Sequence, residues 1–149
     1  MSQILRVVQS INDNMSFLPM CPASCSRVRI AWVKDNLIVI KGNCDSAVDT
    51  MISEFDFFEH LLLSVNNKTF FLTHGHIYNK DSLPKTKVDG IIYGHFHTGF
   101  IEEENGVIVV NAGSTSLPKG ETENSYLVLE DSSLTLKNFE GKIIKSLVL

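Results

Sequence analysis

An α/β fold is the expectation for this chain of 149 residues, and three observations carry it. Four short, unbroken apolar runs, rich in β-branched and aromatic residues, are each closed by turn formers, as buried strands are. Three further runs near the C-terminus alternate polar with apolar, as half-exposed antiparallel strands do. Helical stretches fit between them, at residues 46–54 and from about Asp81 onward.

The elements follow in order. Ile4, Leu5, Val7, Val8 and Ile11 fall at the spacing of a short amphipathic helix, stopped by Asn12-Asp13-Asn14. Phe17 to Ser26 carries Pro19 and Pro22 and reads as an irregular loop. Arg27 to Lys34 is open between strand and helix. The four buried strands are Leu37 to Ile40, Thr69 to Leu72, Ile91 to Tyr93 and Val107 to Val110. Glu102-Glu103-Glu104 reads as a solvated turn ahead of Asn105-Gly106, between two strands. Tyr126 to Leu129, Leu134 to Phe139 and Ile143 to Leu149 are the alternating strands, with turns at Glu130-Asp131-Ser132 and Glu140-Gly141. The length fits one domain, 1–149, in which residues 1–35 are weakly patterned and 36–149 strongly so.

Composition narrows the function. Thirteen basic residues against 17 acidic ones give a net charge of −4, opposite to the basic excess of a nucleic-acid or anionic-membrane binder. No apolar run approaches the ~18 residues of a membrane span, and Met1 to Asn14 lacks the order of a signal peptide. Cys21, Cys25 and Cys44 cannot all pair within one chain, which fits a reducing, cytoplasmic setting. Cys21 and Cys25 read as ordinary free thiols and Lys119 as an exposed lysine.

The chemistry collects at strand ends. The four buried runs end in Gly42-Asn43-Cys44-Asp45, His74-Gly75-His76, Gly94-His95-Phe96-His97 and Asn111-Ala112-Gly113-Ser114. In α/β sheets, ligands bind outside the carboxyl ends of strands, where loops converge. Four of the five histidines form two His-x-His pairs there, each able to aim two imidazoles into one cavity. His60 stands alone and reads as structural. Imidazole nitrogens with amide or carboxylate oxygens suit borderline divalent metals such as Mn, Fe, Co, Ni or Zn.

In their order and spacing these four tips resemble the later motifs of the calcineurin-like metallophosphoesterase superfamily, and most of all its small bacterial YfcE-type phosphodiesterases; Ser46 to Asp49 and the Asn111 to Lys119 stretch fit that branch too. The resemblance spans about residues 37–149. It implies a layered, sandwich-like fold flanked by helices, with a divalent-metal centre above the strand ends that hydrolyses a small phosphate ester by metal-activated hydroxide. By motif position Asn43, His74 and His95 bind one metal and His97 another, manganese first. Asp45 stands behind the ligands, Cys44 occupies the place of a leaving-group proton donor, and His76 faces substrate or supports the site. The family's N-terminal Asp-x-His and Gly-Asp motifs have no counterpart. Without a bridging carboxylate, two dications repel one another unscreened, so a single ion on Asn43, His74 and His95 is the simpler expectation. Two functions stand: a phosphodiesterase whose activity is open to impairment by the missing carboxylates, and a non-catalytic scaffold on the same fold. A sheet shortened at its N-terminal side also predicts self-association through an exposed edge.

Overall fold

The computed structural model describes residues 4–7, 38–45, 57–130 and 132–149. Its strands are β1 (Ile4–Val7), β2 (Val39–Ile40), β3 (Phe57–Phe58), β4 (His60–Val65), β5 (Lys68–Thr73), β6 (Gly90–Tyr93), β7 (Phe100–Glu104), β8 (Val107–Asn111), β9 (Ser125–Glu130), β10 (Ser133–Asn138) and β11 (Ile143–Val148). They form a five-stranded sheet in the order β4-β5-β6-β8-β7, a four-stranded sheet in the order β1-β9-β10-β11, and a two-stranded β2-β3 pair.

Three of the four unbroken apolar runs form the middle of the larger sheet. The fourth, expected as a buried strand over Leu37 to Ile40, is the short half-buried β2 paired with β3, with Ile38 exposed and Leu37 outside the described residues. β5, β6 and β8 are parallel to one another, and β6 is buried along its whole length. Phe70, Leu72, Ile92, Ile108 and Val110 point to one face, where they meet Leu127, Leu129, Leu134 and Leu136 of the smaller sheet. That interlayer is the main core, and each fully buried side chain of this kind contributes about 1.5–3 kcal/mol. Phe71, Ile91, Tyr93 and Val109 point to the opposite face. Both faces are thus covered with apolar side chains, which is why these runs do not alternate.

Antiparallel strands flank this parallel trio. β4 joins β5 through Asn66-Asn67, and β7 joins β8 through Asn105-Gly106. All four residues have positive φ, from 49° to 77°, the twist that tight two-residue hairpins need and that Asn and Gly tolerate. Glu102 to Glu104 are therefore strand residues on the exposed side of β7 and not a turn; the turn is confined to Asn105-Gly106. A three-carboxylate stretch stays extended here because β8 supplies a complete ladder beside it.

Two further expectations are corrected. Ile4 to Val7 is a strand, paired antiparallel with β9 from Ile4 opposite Glu130 to Val7 opposite Leu127; the ladder offered by β9 outweighs a weak helical spacing rich in β-branched residues. No helix starts at Asp81. The Asn79 Oδ1 accepts from the Asp81 N–H at 2.9 Å, and Asn79 and Ser82 pair through their backbones, so this segment turns on itself before Pro84. The proposed 46–54 helix, the 17–26 loop, Arg27 to Lys34, Cys21 and Cys25 lie outside the described residues. Among the described residues, no helix is long and apolar enough to cross a membrane.

The β10–β11 turn rests on Asn138, which is buried. Its Oδ1 accepts from the Glu140 and Lys142 N–H groups, and its Nδ2 donates to Glu123 Oε2 at 2.7 Å. Asn138→Ala is expected to lower unfolding free energy by about 1–3 kcal/mol, measured in urea. The Asn138 amide, and after it the Lys142 charge, holds the Glu123 carboxyl below its ordinary 4.5. A lowered folded pKa stabilises the fold above the unfolded value and ceases to do so as pH falls through the lowered one. The gap between variant and wild type is therefore expected to narrow below pH 4.5.

Candidate metal centre

Because β5, β6 and β8 run parallel, their C-terminal ends lie on one edge of the sheet, and the loops that follow them meet there. Backbone bonds tie the tips together: Gly94 N–H donates to the His74 carbonyl at 2.9 Å, and Ala112 N–H to the Tyr93 carbonyl at 3.0 Å. The tip after β2 reaches the same place.

His74 is the hub. It is buried to 6% exposure, and its Nε2 lies 2.9 Å from Asn43 Oδ1 and 3.1 Å from His95 Nδ1. The rings of His74 and His76 are 5.3 Å apart, and those of His76 and His95 6.2 Å. His76 is exposed at the opening of this cluster. The structure thus brings together Asn43, His74, His76 and His95 from three separate stretches of chain. Among the described residues no three His, Cys, Asp or Glu side chains gather on one point; the donors that meet are two imidazole nitrogens and one amide oxygen. Bonds of about 2.1 Å made at right angles to one ion put neighbouring donor atoms about 3 Å apart, the spacing of His74 Nε2 from each of the other two atoms. The donor set fits a borderline divalent cation.

The remaining candidates are placed around it. Asp45 is buried and its Oδ2 accepts from the Gly42 N–H at 2.7 Å, closing the loop that presents Asn43. A Cβ on Gly42 would stand 3.3 Å from Asp45 Oδ2 and 3.3 Å from His74 Cε1, so the carboxylate and the imidazole share one side of that glycine. Cys44 is exposed and takes a long contact, 3.6 Å, from the Asn43 amide to its sulfur. His97 is anchored separately: it is buried, and its Nδ1 lies 2.9 Å from the Leu117 carbonyl. With Nδ1 donating, Nε2 is the acceptor nitrogen, the form in which an imidazole binds metal. Leu117 is in turn set by Ser114, whose Oγ accepts from the Leu117 N–H at 3.0 Å.

The backbone at the β6 tip is strained. His95 and His97 have φ of 62° and 63°, a left-handed conformation that costs a non-glycine residue about 1–2 kcal/mol. Phe96 N–H donates to the Gly94 carbonyl at 2.7 Å, so His95 is the centre of a γ-turn of the rarer, strained hand. Strain of this kind persists only where surroundings over-determine it. The residue that does so is Asn111, fully buried, whose Nδ2 donates to the same Gly94 carbonyl at 2.8 Å while its Oδ1 accepts from Gly113 N–H at 3.0 Å. The sequence marked the Asn111 motif but gave this residue no role; a buried amide at the end of an otherwise apolar strand was the available signal. Gly75 is required for a different reason. Its φ is 117°, and a Cβ there would come within 2.9 Å of the Tyr93 ring. Burial pushes the Tyr93 phenol above its ordinary 10.0, opposed by a hydrogen bond with the Lys80 backbone.

Comparison with known proteins gives the family of the chain. The family model for the calcineurin-like phosphoesterase superfamily domain matches residues 19–133. Phosphodiesterase YfcE of Escherichia coli K12 is 35% identical over 112 residues, covering 72% of this chain and 60% of the relative. The probable metallophosphoesterase YsnB of Bacillus subtilis is 32% identical, covering 68% of this chain and 62% of the relative. The chain therefore spans about three-fifths of the length of these curated relatives. The solved structure of E. coli YfcE superposes with a TM-score of 0.75 at 31% identity, over 81% of this chain and 68% of that one. Vps29 of Cryptosporidium parvum, at 17% identity and a TM-score of 0.59 over 99% of both chains, shares the fold. By sequence match, by fold and by the order of its strand-tip motifs, the chain belongs to the calcineurin-like phosphoesterase superfamily.

Proposed function

We propose that the protein hydrolyses a phosphodiester with the help of a divalent metal, manganese first, held by Asn43 Oδ1, His74 Nε2 and His95 Nδ1. The convergence of these three donor atoms, 2.9 and 3.1 Å apart, is the observation that carries the proposal. The phosphodiesterase relatives support the reaction class, and their names lend nothing to the scaffold alternative. When bound, the cation supplies Lewis acidity that offsets charge on the phosphoryl oxygens.

The chain's own groups do the rest. Asp45 fixes the Asn43 loop through Gly42 and places a negative charge behind His74. His76, exposed at the opening, donates to a phosphoryl oxygen and orients the ester. Cys44 gives its thiol proton to the departing alkoxide as the phosphorus–oxygen bond breaks, and the water that supplies the new oxygen returns a proton to the thiolate; a thiol is less well matched to this task at neutral pH than an imidazole. His97 is the candidate for a second ion; the carboxylates upstream, Asp13 and Asp35, lie outside the described residues and are not assigned to it. The substrate is a small phosphate ester, and the protein works in the cytoplasm. Edge strand β11, with Ile143 and Val148 exposed, is the surface through which copies of the chain would associate.

The test is hydrolysis of bis-p-nitrophenyl phosphate with and without Mn²⁺. Activity is expected only with the metal, and His95→Ala is expected to reduce it about a hundredfold or more. Undiminished turnover by that variant overturns the assignment.

A further inference from the structure

We propose that Phe96 is a stacking platform for an aromatic group of the ester, so that the preferred substrates carry an aryl or heteroaromatic ring next to the phosphate. The inference rests on the metal-centre proposal above and names the substrate class of that site.

An exposed phenylalanine is usually an ordinary surface residue, and three observations set this one apart. It stands between His95 and His97 on the strained turn, with left-handed φ values on both sides. Its ring is braced rather than loose: it meets His95 at 5.0 Å and 79° and Tyr93 at 6.2 Å and 81°, both edge-to-face arrangements. Even so braced, 46% of the residue stays open. The brace reaches the site directly, because His95 is the residue whose Nδ1 lies 3.1 Å from His74 Nε2. An ester bound at that centre therefore lies beside the strand tip that carries Phe96, the residue next to His95 and in ring contact with it. The neighbouring tips add to the apolar character. Ile77, 54% exposed, follows His76, and Leu117, 52% exposed, carries the carbonyl that holds His97. Both lie in loops that leave the same edge of the sheet as Phe96. Polar chemistry at the centre with apolar side chains on its outer loops is the composition of a site for an amphipathic ester. A rigid, pre-placed ring loses little freedom on binding and so favours a flat partner over a flexible alkyl chain.

The probes are phenylphosphonate and methylphosphonate, which present the same phosphonyl head, differ in the organic group and are not hydrolysed. Their dissociation constants for the full chain loaded with Mn²⁺ are measured by calorimetry. Wild type is expected to bind phenylphosphonate about tenfold more tightly than methylphosphonate, the size of a well-formed aromatic contact. Phe96→Ala is expected to reduce that ratio to about two, and Phe96→Leu, which keeps an apolar contact without the ring, to leave it between the two. Because Phe96 is nearly half exposed, neither variant threatens folding. Equal binding of the two phosphonates by wild type, or an unchanged ratio in Phe96→Ala, overturns the platform while leaving the metal centre standing. Failure of both phosphonates to bind protein that takes up Mn²⁺ overturns the platform, whereas failure of the protein to take up Mn²⁺ at all removes the metal-centre reading, and the platform with it.

Discussion

His74→Ala is expected to raise the dissociation constant for Mn²⁺ by well over a hundredfold and to leave no measurable phosphodiester hydrolysis. Losing even an outer partner of a metal ligand costs about 10–100-fold, and in the proposed centre His74 is a ligand within hydrogen-bond distance of both of the others. Its Nε2 is the one atom within hydrogen-bond distance of both Asn43 Oδ1 and His95 Nδ1, so alanine takes one donor away and frees two more from their register. Asn43→Ala is expected to do less, about tenfold, because an amide oxygen is a weaker donor to a borderline metal than imidazole. Calorimetric titration with Mn²⁺ separates the cases. If His74→Ala binds Mn²⁺ as wild type does, the ion is elsewhere and the centre is misassigned. The same substitution leaves a void in a buried position, so a fall in unfolding free energy of about 2–3 kcal/mol is expected beside the loss of metal.

This centre was legible in the sequence to an unusual degree, because its information is local. A short apolar strand followed by glycine and a polar side chain specifies both an element and what stands at its end. β5, β6 and β8, laid parallel, bring their ends to one edge, and the β2 tip joins them from outside that sheet. The strand ends pointed only to a shared edge; it was the resemblance of the tip motifs to a known family that singled out Asn43, His74 and His95 as ligands. What the sequence concealed depends on partners distant in the chain. Ile4 to Val7 reads as helix until β9 is available to pair with it. Glu102 to Glu104 read as a turn because carboxylates are poor strand formers in isolation, yet one ladder with β8 holds them extended. β4 went unnoticed for a third reason: three consecutive leucines hide an alternation in which Leu61 and Leu63 face inward and Leu62 outward. The strain at His95 and His97 is invisible to any sequence pattern, since nothing in a Gly-His-Phe-His string announces a positive φ at a histidine.

That strain makes the second large effect fall on a residue that touches no metal. Asn111→Leu keeps the volume of a buried position and removes both polar ends of the side chain. Gly113 N–H then loses the acceptor it now has, and the Gly94 carbonyl keeps the Phe96 N–H but loses the amide that pins it from β8. Buried backbone groups deprived of a partner cost about 1–3 kcal/mol each, so unfolding free energy is expected to drop by about 2–4 kcal/mol in urea. The γ-turn at His95 is the weaker structure of the two that Asn111 joins, because a left-handed histidine is free to relax once the amide no longer pins the preceding Gly94 carbonyl to β8. Relaxation swings the imidazole whose Nδ1 now lies 3.1 Å from His74 Nε2, and Mn²⁺ affinity is expected to fall about 10–100-fold in protein that is still folded. A variant that loses stability but binds Mn²⁺ as tightly as wild type would show that His95 holds its place without Asn111. A variant that loses affinity in proportion to the released turn identifies Asn111 as the positioning residue of the site, and explains why a polar side chain occupies the end of a strand whose preceding residues, from Ile108 to Val110, are all apolar and buried.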